Sequence, residues 1–110
     1  KDLIELEDYL RTHFGDKTTI VYSAVTCLEV MNKNVSKGDA LAHLLENRNY
    51  GLKDCIAFGD GQNDFDMLRY CDVGVAMGNS SDEVKAVADI VTDDIKEDGL
   101  KNAMVHLGLV

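Results

Sequence analysis

Apolar side chains at Leu3, Leu6, Tyr9, Leu10 and Phe14 recur at spacings of three and four, so Asp2–Phe14 reads as an amphipathic helix. After the break at Gly15-Asp16-Lys17 the period changes. Thr18–Ser23 and Thr26–Met31 are β-branched and apolar runs separated by Ala24-Val25, which predicts two strands. Ser36 can cap a second helix that carries Ala40, Leu41, Leu44 and Leu45 and ends near Asn49-Tyr50-Gly51. Cys55–Phe58 and Val73–Met77 are short and apolar throughout, as strands covered on both faces are. Between them Phe65–Tyr70 reads as helix. Ser80-Ser81-Asp82-Glu83 has the letters of a capping box for a helix over Asp82–Ala88. Ile90–Thr92 reads as a short strand and Asp98–Leu107 as a last helix. From residue 36 the order α-β-α-β-α-β-α is that of a parallel sheet in an α/β fold.

Composition narrows the function classes. The 110 residues hold 11 Lys and Arg against 20 Asp and Glu, a formal net charge of −9, and are 45% hydrophobic. That suffices for a core and is too apolar for disorder. An acidic balance with no basic cluster argues against nucleic acid or an anionic membrane surface as partner. No apolar run approaches the roughly 20 residues of a membrane span. Cys27, Cys55 and Cys71 lack a C-x-x-C spacing and read as free thiols, in keeping with a reducing, cytoplasmic setting. His13, His43 and His106 read as surface or half-buried residues of helices, and the four methionines as core filler.

The chemistry concentrates in Gly59-Asp60-Gly61-Gln62-Asn63-Asp64, directly after an apolar strand. Open parallel sheets bind ligands at the carboxyl ends of their strands. The glycines permit a sharp turn and close backbone approach. Asp60 and Asp64, four apart across a strand-to-helix turn, can face one point, and such hard oxygen ligands suit Mg²⁺. The following helix start offers N–H groups to an anion. A calcium loop is excluded, because Phe65 and Cys71 stand where it needs Gly and Glu. A dinucleotide fingerprint fails at Asp64, where the third Gly belongs. Helix capping explains any one of these acids, but not the whole hexapeptide at this place.

Gly59–Leu68 resembles the fourth motif of the haloacid-dehalogenase-like phosphohydrolases. The series Val35–Leu41, Ile56–Leu68, Val73–Asn79 and Asp98-Gly99 is similar to their Cof-type branch. The resemblance implies an α/β, HAD-like Rossmannoid three-layer core. It also implies phosphate-ester hydrolysis through an aspartyl-phosphate with Mg²⁺ as cofactor. By position, Lys37 matches the lysine that neutralises phosphate oxygens and the nucleophile. Asp60 matches the metal-ligating acid. Asp64 matches the second acid, which serves the metal or its bound water, or orients Lys37. Asn63 and Asn79 match substrate-contacting amides. A lysine in the first turn of a helix opposes the macrodipole, a local cost that such a role explains.

The family's Asp-x-Asp nucleophile motif and its Ser/Thr motif have no counterpart before Lys37. Residues 1–32 instead resemble the tail of a Cof-type cap domain, and 33–110 the second half of the catalytic core. The expectation is therefore the C-terminal part of a larger phosphatase for sugar phosphates or similar small phosphorylated substrates, inactive by itself. Its Cys55–Phe58 strand would be left with an apolar edge for a missing N-terminal segment or a companion chain to cover. The alternative is a noncatalytic metal- or phosphate-binding module. P-type ATPases share Gly-Asp-Gly-x-Asn-Asp, but usually follow it with Pro where Asp66 stands, and then with membrane spans.

Overall fold

In the computed structural model, which describes residues 2–110, helix α1 covers Asp2–Phe14. Arg11 fastens it: Nε donates to Glu7 one turn back at 2.8 Å, and Nη2 donates to the Ile20 carbonyl at 2.9 Å. Strands β1 (Thr18–Ala24) and β2 (Cys27–Asn32) pair antiparallel, with Thr19 opposite Met31, Ile20 opposite Val30 and Val21 opposite Glu29. Because side chains alternate along a strand, Ile20 and Tyr22 share one face. Tyr22 meets Glu7 of α1, and Ile20 is buried. Thr19, Val21, Glu29 and Met31 point the other way.

The second unit follows the α/β alternation. Its elements are α2 (Lys37–Glu46), β3 (Ile56–Gly59), α3 (Phe65–Tyr70), β4 (Val73–Ala76), α4 (Asp82–Val87), β5 (Ile90–Val91) and α5 (Gly99–His106). The strands form a parallel sheet in the order β3-β4-β5. Among the described residues β3 pairs only with β4. Ala57, Leu68, Cys71, Ala76 and Val84 form the buried cluster, with Leu41 and Phe65 packed against it. Cys71 is buried, Cys55 half-buried and Cys27 exposed, and all three thiols are free.

Departures from the expected boundaries are local. Helix α2 stops at Glu46 rather than near residues 49–51, because Asn49 turns left-handed (φ 61°) and Tyr50 N–H returns to the Leu45 carbonyl. The box over Ser80–Glu83 does not form. Ser81 caps α4 by accepting from Val84 N–H at 3.5 Å, whereas Ser80 belongs to the turn after β4, where its N–H donates to the Met77 carbonyl. Asp98 adopts φ 58°, so α5 begins one residue later than expected. Among the described residues no helix is long and apolar enough to cross a membrane.

Candidate active site

Strand β3 delivers its carboxyl end at Gly59. The chain then turns through Asp60-Gly61 and a single 3₁₀ turn, Gln62–Asp64, into α3. Within this turn the Asp64 side chain folds back. Its Oδ2 accepts from the N–H groups of Asp60 (2.9 Å) and Gly61 (3.1 Å). Gly59 makes room for it, since a Cβ there would lie 2.6 Å from the Asp64 Cβ. The other oxygen, Oδ1, receives Lys37 Nζ at 2.6 Å. Lys37 is the first residue of α2, entered through Ser36, whose hydroxyl accepts from Asp39 N–H at 3.0 Å.

Asp64 is only 3% exposed. Burial by itself would raise its carboxyl, but the Lys37 ammonium and the two backbone amides outweigh burial and hold it below the usual carboxylate range. The lysine side chain is about half exposed (51%), so its charge is anchored at the loop yet open to a ligand.

The expected site residues divide. Lys37, Asp64 and Asn63 come together around the 60–64 turn. Asp60 is exposed at the end of β3, and its carboxylate makes no hydrogen bond among the described residues. Asn79 serves the next turn instead: its Oδ1 accepts from Ile95 N–H at 3.0 Å, which leaves Nδ2 as its free donor for a ligand. Among the described residues no three His, Cys, Asp or Glu side chains form a metal-holding group. The donors present still fit Mg²⁺ as a partial set. Asp60 is free, and a carboxylate has about four lone-pair sites, of which Asp64 uses three. Mg²⁺ commonly takes one or two carboxylates and completes its shell with water and phosphate oxygens.

A cavity of about 230 Å³ adjoins the turn. Lys37 and Asn63 line one side, and the outward face of the β1–β2 hairpin, including Glu29, lines the other. Two contributions were not legible in the sequence. Gln62 donates to Glu83 of α4 at 3.3 Å, bracing the turn across 21 residues. Glu29 reaches the site from the hairpin; strand alternation groups it with Met31, but nothing local says which face meets the turn.

A sequence profile of haloacid dehalogenase-like hydrolases matches residues 1–104. This chain belongs to that family. A putative phosphatase of Haemophilus influenzae is 65% identical over 85 residues, which are 77% of this chain and 31% of that protein. An HMP-PP phosphatase of Yersinia enterocolitica is 40% identical over 85 residues, with the same shares of each chain. Among solved structures, a sugar phosphatase of HAD subclass IIB superposes with a TM-score of 0.88 at 34% identity. That match covers 96% of this chain and 40% of the other. The haloacid dehalogenase-like chain described here thus spans about a third of the length of these curated relatives. The agreement extends to the α/β fold and to the Cof-type branch of the family.

Proposed function

We propose that this chain provides the lysine and carboxylate half of a Mg²⁺-dependent phosphomonoesterase site for small phosphorylated metabolites, sugar phosphates or similar. The observation that carries this reading is the Lys37–Asp64 ion pair, clamped by two backbone amides at the carboxyl end of β3. Lys37, held in place before substrate arrives, stabilises negative charge on the phosphoryl oxygens without reorganising. Asn63 offers a side-chain amide from the same turn, and Asn79 its Nδ2 from the next. Asp60, with the remaining lone-pair site of Asp64, would hold the metal. When bound, Mg²⁺ would supply Lewis-acid polarisation and charge neutralisation at the phosphoryl group.

The nucleophile would come from a segment beside the open edge of β3, from a longer chain or a companion. On this reading residues 1–32 are the tail of a cap and 33–110 half of a core. An aspartate oxygen of that segment attacks phosphorus as the bond to the leaving oxygen breaks, and that oxygen takes a proton. Water then cleaves the acyl phosphate, releasing inorganic phosphate and restoring the carboxylate. The names of the relatives, a sugar phosphatase and an HMP-PP phosphatase, support small phosphorylated substrates.

The chain by itself should not turn over p-nitrophenyl phosphate. Grafted in place of the matching stretch of the Haemophilus influenzae relative, it should do so with dependence on Mg²⁺. Lys37→Ala in the graft should lower kcat by about 10²-fold or more, the scale of losing one preorganised charge-stabilising donor. An active isolated chain, or a graft indifferent to Lys37→Ala, overturns the proposal.

A further inference from the structure

The cavity beside the 60–64 turn has two unlike walls. One is the phosphate side, with Lys37 and Asn63. The other is the hairpin face away from α1, where Thr19, Val21, Glu29 and Met31 stand together by register. Glu29 is the only charged member of those four. It is half-buried, and no hydrogen bond or ion pair engages its carboxylate among the described residues. Lys33, Asp39 and Asp66 also line the cavity, and none of them is paired with it. The Glu29 carboxylate oxygens are therefore available to a donor on a bound ligand. About 230 Å³ has room for a moiety of sugar size beside the phosphate, at the small end of ligand sites.

We infer that Glu29 is a specificity-determining residue that receives hydroxyl or ammonium donors on the leaving group of the phosphate ester. Val21 and Met31 pack against the carbon skeleton of that group. The same carboxylate disfavours a leaving group with a second negative charge at its far end. This assignment rests on the phosphatase reading given above, because that reading puts the phosphate at Lys37.

Amide NMR of the 110-residue chain, at a concentration where sedimentation shows the monomer, titrated with inorganic phosphate, glucose 6-phosphate and 6-phosphogluconate in the presence of Mg²⁺, tests it. Inorganic phosphate should move the amides of residues 60–64, with those of Lys37 and Asn79, and leave the hairpin still. Glucose 6-phosphate should move these and also Val21, Glu29 and Met31. Glu29→Gln should weaken glucose 6-phosphate about tenfold, the worth of one charge-assisted hydrogen bond. It should leave inorganic phosphate unchanged and tighten 6-phosphogluconate. Val21→Phe, which fills the cavity from the neighbouring position, should abolish the extra affinity for the sugar phosphate while phosphate still binds. If glucose 6-phosphate leaves the hairpin amides still, or binds Glu29→Gln as well as the parent, the role of Glu29 is overturned although the phosphate site stands. If phosphate itself fails to move residues 60–64, the phosphatase reading falls and the role of Glu29 with it.

Discussion

At the scale of the residue, Asp64 concentrates the constraints of the site. Its two oxygens take three N–H donors while the side chain is almost wholly buried. Replacing it with Asn leaves Oδ1 to accept but turns an NH₂ toward donors. Urea unfolding at neutral pH should show a loss of about 1–3 kcal/mol, the cost of orphaned buried polar groups. The acid limb gives a second check. The folded Asp64 carboxyl lies below its ordinary value, so the folded protein gives up that proton more readily than the unfolded chain. Its stabilisation is therefore complete above the ordinary carboxylate range and is lost as pH falls through the lowered folded value. Urea midpoints measured from pH 7 downward should fall in that acid window, and Asp64→Asn should flatten this part of the fall. The hexapeptide was legible because its residue types and its place after an apolar strand agree. The fold-back of Asp64 onto the amides of Asp60 and Gly61 was not, because two glycines permit many turns and only Lys37, 27 residues away, selects this one.

Elements were most legible where periodicity and punctuation coincide. Helix α1 spans the residues its three-and-four spacing predicts, and α3 covers the expected Phe65–Tyr70. Errors sit at the ends, where one side chain or one left-handed residue decides, as at Asn49, Ser81 and Asp98. Ser36 is the cap that does form, so Ser36→Ala should cost about 1 kcal/mol in thermal or urea unfolding. The same loss should loosen Lys37, which begins at the next residue. The α2–α3 crossing depends on Gly38, which is buried, with space for a Cβ only 2.7 Å from that of Asp66. Gly38→Val would force the two helices apart. Overpacking of this kind costs about 1–3 kcal/mol. Because Lys37 and the 60–64 turn flank that crossing, the variant should also bind phosphate more weakly, as titration would report.

For the molecule as a whole, the open edge of β3 is the main consequence of the sheet order. An unpaired strand edge next to a buried core is a template for further pairing. The isolated chain should therefore sediment as species larger than 12.1 kDa as its concentration rises, whereas the graft into the longer relative should not; a monodisperse monomer at all concentrations would contradict this. What the sequence by itself determined is local and chemical: the hydrophobic periods that set helix and strand, the order of an α/β sheet, and the acid-rich turn with its lysine. These follow from residue type and short spacing. Only the tertiary structure decided which groups meet across long separations. It set Lys37 on Asp64 rather than in solvent, turned Asn79 to Ile95, and brought Glu29 to the cavity opposite Lys37. Such pairings depend on how whole elements pack, and a strand's own sequence does not specify which of its faces another element will meet.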